Sequence, residues 1–379
     1  MLRWRLLIGI PLVALLIFLL WLDATLPIPG LILLPFFLIC EFFLCRETIA
    51  LLNAGGLFPR RSTIYAGVFG TLLLCWASCW NAHPMMSAVH VRALGESGAA
   101  AVAESRSIDR AEVKELDDAG ALAALESAEQ TVAAVRAYLE ERNSSTQDKQ
   151  GGIAAGREAS TVVGGSYAEV GAWKTAAYSC VHILLAIAAG VLIAFVGEML
   201  RFKLPGGHMI NLSGAIFAIV YLGLLGSFLV MLRLTYGVSA LVSMIVTAKL
   251  CDIGAYTVGR MIGRHKMAPS LSPGKTIEGI CGGLIFSTIG AWASVRFLFP
   301  LEFGTASSTT ALGAIIYGLV VGAVGALGDL AESLIKRDVS RKDSGTHVPG
   351  FGGFLDMFDS LLLAAPVAFA LWAFGVVKP

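Results

Sequence analysis

Charge is what this sequence has least of. Asp, Glu, Lys and Arg make up 15% of its 379 residues, where a soluble domain carries about a quarter. With 56% hydrophobic residues and a mean hydropathy of +0.75, the chain is too apolar for an ordinary water-soluble fold and reads as membrane-embedded. A basic tail or a basic patch interleaved with aromatics is also missing, which argues against nucleic acid as a partner. The seven cysteines, Cys40, Cys45, Cys75, Cys79, Cys180, Cys251 and Cys281, show no C-x-x-C spacing. Cys75 and Cys79 share a helix face, but no histidine or second cysteine pair accompanies them, so the thiols read as small apolar filler rather than metal ligands. No internal repeat is visible, and with it goes the inverted-repeat signature of many transporters.

What the chain does have is long apolar runs. A spanning helix needs roughly 20 mainly apolar residues, and nine runs approach or reach that length. They are Leu6–Leu22, Leu31–Cys45, Ile64–Trp80, Ala176–Leu200, Leu212–Leu232, Gly237–Val258, Ile277–Phe299, Ala311–Ile335 and Phe358–Val377. The expected fold is all-α, a polytopic membrane protein of nine transmembrane helices with one polar, partly helical insertion. Arg3 and Arg5 before the first run would suit a signal peptide, but no small-x-small cleavage site follows and a second apolar run begins at once. Trp4, Trp21, Trp80 and Trp173 sit at run ends, where interfacial anchors belong.

Nine spans place the basic loops on one face. Those loops carry Arg3/Arg5, Arg46/Arg60/Arg61, Arg201/Lys203, Arg260/Arg264/Lys266/Lys275 and Lys336/Arg337/Arg341/Lys342. The positive-inside rule makes that face cytoplasmic, so the expected location is the cytoplasmic (inner) cell membrane. The chain divides into N-terminal transmembrane helices (1–80), a polar insertion on the other face (81–174) and a C-terminal transmembrane catalytic domain (175–379). Within the insertion, Arg110–Arg142 has apolar positions near helical spacing, and Gln147–Gly165 reads as a linker. The insertion is expected to act as a spacer or a partner-binding element without catalytic residues. Asn143-Ser144-Ser145 matches a glycosylation sequon of a kind common by chance.

Two segments break the apolar pattern with dense charge, and ionisable residues in or beside spanning helices point to function. In the second, Asp329 lies among Ala326, Leu327 and Leu330, and Glu332, Ser333, Lys336 and Arg337 follow at steps that keep them on one helix face. A loop bearing Arg341, Lys342, Asp343, Ser344 and His347 leads to a glycine-rich turn and then to Asp356, Asp359 and Ser360. His347 alone reads as a loop residue. Carboxylates without thiolates suit a hard cation such as Mg²⁺, and the adjoining Lys and Arg suit phosphate. Together with glycine-rich backbone, this is equipment for phosphoryl or nucleotidyl transfer. The first segment adds Lys249, Asp252 and Tyr256, then Arg260, Arg264, His265 and Lys266, then the turn Ser272-Pro273-Gly274-Lys275-Thr276 before a helix. That turn is suited to binding phosphate, although its spacing is not that of a P-loop.

At these two segments the chain resembles the phosphatidate cytidylyltransferases (CDP-diacylglycerol synthases). Their pattern S-x-x-K-R-x-x-x-x-K-D-S-G-x-x-x-P-G-H-G-G-x-L-D-R-x-D-S is met at Ser333, Lys336, Arg337, Lys342, Asp343, Ser344, Gly345, Pro349, Gly350, Gly352, Gly353, Leu355, Asp356, Asp359 and Ser360. The earlier D-x-x-A-Y-x-x-G-R-x-x-G-R-H-K and S-P-x-K-T-x-E-G stretches are met from Asp252 to Lys266 and from Ser272 to Gly279. Phe351 and Met357 depart from the pattern, replacing its histidine and arginine. The resemblance is strong from about Leu212 to Ser360 and faint before Ala176.

The resemblance implies transfer of CMP from CTP to phosphatidate, giving CDP-diacylglycerol and pyrophosphate for phospholipid biosynthesis. It implies a catalytic set of Asp329, Lys336, Arg337, Lys342, Asp343, Asp356 and Asp359, with Asp329 and Asp356 on Mg²⁺ and room for a second, monovalent cation such as K⁺. Asp252, Tyr256, Arg260, Arg264, Lys266, Ser272, Lys275, Thr276 and Ser333 are expected to hold substrate. CTP, phosphatidate and membrane lipids are the expected partners, and a homodimer is one assembly open to such a chain. Rival readings are a cytidylyl- or phosphoryl-transferase acting on another lipid, an ion-coupled transporter, and a low-activity relative that binds a partner through the insertion. The transporter reading fits poorly, because the charges gather at one membrane edge rather than near the midplane on broken helices.

Overall fold

The computed structural model describes residues 2–25, 30–78, 181–303, 307–345 and 352–378. The expected insertion, with its helix, linker and sequon, lies outside the described residues, as do His347 and Phe351. The described residues belong to one compact unit drawn from Met1–Asn81 together with Thr175–Pro379. In chain order they form α1 (Leu2–Thr25) and α2 (Leu33–Ala54), α3 (61–78), and then α4 (Val181–Met199), α5 (His208–Tyr236) and α6 (Val238–Ile262). A hairpin of β1 (Lys266–Ala268) and β2 (Ser272–Thr276) follows. The last three helices are α7 (Ile277–Glu302), α8 (Ala311–Asp338) and α9 (Leu355–Ala373).

Among the described residues, six helices, α4 to α9, are long and apolar enough to cross a membrane. The fold is that of an all-α polytopic membrane protein. Of the three spans expected earlier in the chain, α1 is an apolar helix over Leu2–Thr25, and α2 carries Glu41, Arg46 and Glu47 within its length.

The hairpin is the exception to the helical rule. The S-P-G-K-T segment is expected from sequence to be a turn, yet Ser272–Thr276 is a strand paired antiparallel with Lys266–Ala268, with Lys266 opposite Thr276 and Ala268 opposite Ser272. Pro273 and Gly274 disfavour helix, and the extended backbone finds its hydrogen bonds in the residues just before it. Thr276 then caps α7, its hydroxyl accepting from Gly279 N at 3.1 Å. Capping by threonine fixes where strand ends and helix begins. Thr310 does the same for α8 through Gly313 N.

Lipid tails are as apolar as leucine, so helices in a membrane associate through close packing and hydrogen bonds rather than by escaping water. The contacts here follow that rule. Ala240, Ala248, Ala364, Ala365 and Ala368 are fully buried between helices. Ser287 of α7 donates to Gly318 O of α8 at 2.9 Å, and Ser243 of α6 shares a hydrogen bond of 3.1 Å with Tyr317 of α8. One core cluster gathers Met231, Leu232, Met244, Val321 and Trp372. A second joins Leu44 and Leu52 of α2, Ile64 and Val68 of α3, Ile219 and Leu222 of α5 and Leu355 of α9.

One buried ion pair ties the N-terminal helices to the rest. Arg233 of α5 donates from Nε to Asp23 Oδ2 at 2.7 Å and from Nη2 to the Asp23 carbonyl at 3.2 Å. The Asp23 carboxylate also accepts from the amides of Gly30, Ile32 and Leu33, at 3.1 to 3.4 Å. Asp23 thus pins the start of α2 and the end of α1 to α5. Removing one partner of a buried pair leaves the other charge uncompensated and costs about 3–5 kcal/mol. Arg233→Met should therefore lower the thermal midpoint of the purified protein in detergent well below that of the wild type. An unchanged midpoint would show that the pair does not carry the α1–α2 junction.

Candidate active site

Four elements converge at one end of the bundle: α6, the hairpin, α8 and α9. α8 and α9 approach closely at Gly328, where an added Cβ would stand 2.5 Å from the Asp359 carbonyl oxygen, so a larger residue there would force the backbones apart. The neighbour of Gly328, Asp329, is thereby brought to Asp359, and ligand oxygens of Asp329, Glu332 and Asp359 lie within 4.8 Å of one another. Glu332 is completely buried, and its Oε1 has no hydrogen-bond partner among the described residues.

One turn along α8, Lys336 spans two carboxylates. Its Nζ donates to Glu332 Oε2 at 2.6 Å and to Asp356 Oδ1 at 2.5 Å. The other Asp356 oxygen accepts from Ser344 N at 3.1 Å, Ser344 Oγ at 2.9 Å and Gly353 N at 2.7 Å. From the hairpin, Lys275 Nζ reaches Asp329 Oδ2 at 2.9 Å and the Ala326 carbonyl at 3.2 Å. From α6, Lys249 donates to Ser360 Oγ at 2.8 Å and meets Asp252 Oδ2 at 3.3 Å, while Ser360 Oγ donates to the same Asp252 oxygen at 3.2 Å. Five carboxylates (Asp252, Asp329, Glu332, Asp356 and Asp359) are thus linked to three ammonium groups (Lys249, Lys275 and Lys336). Carboxylates outnumber ammonium groups by two where α8 and α9 cross.

The expected site residues divide into three groups. Asp329, Lys336, Asp356, Asp359, Asp252 and Lys275 come together in this centre. Ser333 is buried on α8 beside Glu332. A second group lies around it: Tyr256 is exposed and accepts from Arg260 Nη1 at 2.8 Å, Arg264 and Lys266 are exposed at the entry to the hairpin, and Ser272 and Thr276 shape the hairpin itself. Glu278 fastens that entry, accepting from the amides of Arg264 and His265 at 3.1 to 3.2 Å and pairing with His265 Nδ1 at 2.6 Å. The third group stands apart. Arg337 is exposed and donates to the Leu271 and Arg341 carbonyls at 3.3 Å, so it braces the hairpin tip rather than facing the carboxylates. Lys342 and Asp343 are exposed on the loop after α8. The three-carboxylate group contains Asp329 but not Asp356, which is taken up by Lys336, Ser344 and Gly353.

Three residues outside the expected set belong to this centre. Glu332 supplies a carboxylate of the cluster, Lys249 and Ser360 link α6 to α9, and the signal of all three was the same break in an apolar run that marked Asp252. A fourth lies far away in sequence: Glu47 of α2, whose carboxylate accepts from Ser344 Oγ at 3.0 Å. It too is a charge inside an apolar helix, and the cost of placing it there is the signal that could have flagged it.

Comparison with known proteins follows the same geography. The model of the cytidylyltransferase family matches residues 172–374, a span that holds α4 to α9 and every residue of the centre except Glu47. The uncharacterized protein YnbB of Escherichia coli (strain K12) is 44% identical over 118 residues, covering 31% of this chain and 37% of that protein. A phosphatidate cytidylyltransferase of Haemophilus influenzae is 40% identical over 131 residues, covering 35% and 44%. One from Mycobacterium tuberculosis (strain H37Rv) is 34% identical over 176 residues, covering 46% and 50%. The chain therefore spans half or less of the length of these relatives. The family match alone extends over more than half of the 379 residues, and by it this chain belongs to the cytidylyltransferase family.

Proposed function

We propose that the chain transfers CMP from CTP to phosphatidate, releasing pyrophosphate and leaving CDP-diacylglycerol in the membrane for phospholipid biosynthesis. The observation that carries this reading is the meeting of Lys275 with Asp329 at 2.9 Å, beside the three-carboxylate group formed with Glu332 and Asp359. Two relatives that match over this region are named phosphatidate cytidylyltransferases. Basic residues gather on the α6 end and the hairpin, and the positive-inside rule supports a cytoplasmic face for that end. CTP would then be met from water and phosphatidate from the adjacent leaflet.

A divalent cation fits the residues present. Glu332 Oε1 is buried without a partner among the described residues, its neighbours are hard oxygen ligands, and the centre holds two more carboxylates than ammonium groups. Asp329, Glu332 and Asp359 would hold Mg²⁺, with Asp356 tied to them through Lys336. Bound there, the ion would neutralise phosphate charge and help align the two substrates.

The chemistry asked of the chain itself is positioning. An oxygen of the lipid phosphate attacks the α-phosphorus of CTP, the new P–O bond forms as the α–β anhydride bond breaks, and pyrophosphate carries away the electron pair. The lipid phosphate is already an anion, so no strong general base is needed. Lys275, at the mouth of the centre, would offset charge growing on the leaving group. Arg260, Arg264 and Lys266 would draw the triphosphate to the hairpin, and Tyr256 and Asp252 would frame the nucleoside.

Purified chain in detergent or nanodiscs, given labelled CTP, phosphatidate and Mg²⁺, is expected to yield a chloroform-soluble cytidylylated lipid and pyrophosphate. A folded protein that labels no lipid would reject the reading. Label appearing on a different lipid phosphate would keep the transfer chemistry and change the acceptor. Asp329→Asn and Asp359→Asn should each lower kcat by at least about 100-fold, since each removes an ion ligand. Asp356→Asn, which loosens that group only through Lys336, should lower kcat by about 10- to 100-fold and raise the Mg²⁺ concentration needed for half-maximal rate. Equal, complete loss in all three would instead place Asp356 on the ion.

A further inference from the structure

The N-terminal helices lie outside the span that matches the family, yet one of them reaches the centre. Glu47, on α2, is almost completely buried. Its Oε1 accepts from Phe354 N at 2.9 Å, and its Oε2 accepts from Leu355 N at 2.9 Å and from Ser344 Oγ at 3.0 Å. One turn earlier on the same face, the ring of Phe43 stacks on that of Phe354, with centroids 4.6 Å apart and planes at 9°. These contacts clamp the segment that starts α9.

The first turn of a helix has backbone N–H groups with no partner inside the helix, and it favours negative charge. A phosphate could satisfy them. In the structure three consecutive amides there are already occupied. Gly353 N serves Asp356, while Phe354 N and Leu355 N serve Glu47. Gly353 is itself confined, because an added Cβ would collide with Ser344 Oγ and Glu47 Oε2. The helix end therefore binds carboxylates of the chain rather than substrate.

Ser344 connects the two carboxylates. Its hydroxyl lies 3.0 Å from Glu47 Oε2 and 2.9 Å from Asp356 Oδ2, and its single proton serves one of them at a time. Its amide donates to Asp356 as well. Moving Glu47 would shift Ser344 and the turn, and with them Asp356, whose other oxygen is held by Lys336.

We propose that Glu47 is a positioning residue for the transfer reaction, supplied by α2 from outside the family-matching span, which sets Asp356 and Lys336 by holding Ser344 and the first turn of α9. This rests on the transfer reading above. It touches neither substrate nor ion. Glu47→Gln is the informative change, since the carboxamide keeps the size but turns one acceptor into a donor facing N–H or O–H donors.

The test uses the full chain and two readouts, steady-state kinetics with CTP and phosphatidate, and amide exchange followed by mass spectrometry. Glu47→Gln should lower kcat by about 10- to 100-fold, the range for partners that orient a site. The KM for CTP should stay within about twofold, because the alignment of the site is lost and no contact that binds CTP is removed. Exchange over residues 352–358 should quicken, with α6 and α7 unchanged. Ser344→Ala should give the same pattern, and the double variant should lose no more than the worse single one. Should Glu47→Gln fail to fold, Ser344→Ala carries the test. Wild-type kcat in either variant would overturn the proposal, as would faster exchange spread over all helices. If the wild type itself transfers nothing, the enzymatic reading fails, and the exchange arm still decides whether Glu47 holds Ser344 and this turn.

Discussion

Lys336 sits between Glu332 and Asp356, and the arrangement of the centre depends on that one bridge. A buried carboxylate is costly unless a cation or a set of hydrogen bonds meets it. Here a single ammonium meets two, on different helices, at 2.6 and 2.5 Å. It fixes the rotation of α8 relative to α9, since Glu332 turned away from it would be buried with no other hydrogen-bond partner among the described residues. With that rotation set, Asp329 and Asp359 must face each other across Gly328. The carboxylate cluster follows from the bridge and the glycine together.

The apolar body makes such a cluster possible. Helices that pack through alanine, serine and glycine approach closely enough for side chains on four elements to share a few ångströms. The hairpin adds what helices alone would not supply, a lysine delivered laterally onto Asp329. Glu278 fixes its entry and Thr276 its exit, so Lys275 arrives from a short, braced strand. Sites held by braced elements keep their geometry better than sites on free loops.

Much of this could be read from the sequence where the physics is local. Asp329 among Ala326, Leu327 and Leu330 is conspicuous because lipid gives a charge no other reason to be there. The same reasoning placed Lys336 and the α9 acids at one membrane edge. What could not be read was helical phase and long-range pairing. Lys336 and Arg337 are adjacent, and spacing alone allows both to face the carboxylates, yet 3.6 residues per turn sends one inward and the other to the hairpin tip. Asp356 and Asp359 are three apart on one helix, and only the α8–α9 crossing decides which joins Asp329 and which joins Lys336. Ser272–Thr276 looked like a turn because its partner strand is only three residues long. Glu47 was passed over because nearly 300 residues separate it from Ser344, and nothing local announces that pairing.

Of the two departures from the family pattern, Met357 lies among the described residues. Met357 stands where the pattern has an arginine, next to Asp356. Without a guanidinium there, Asp356 is still held by Lys336, by the hydroxyl and amide of Ser344, and by Gly353 N. The methionine therefore leaves no carboxylate unmet. On the transfer reading, phosphate would then be recruited by the hairpin and by Arg260, Arg264 and Lys266, which are exposed, because a cluster richer in carboxylates than in ammonium groups would favour a cation over a polyphosphate.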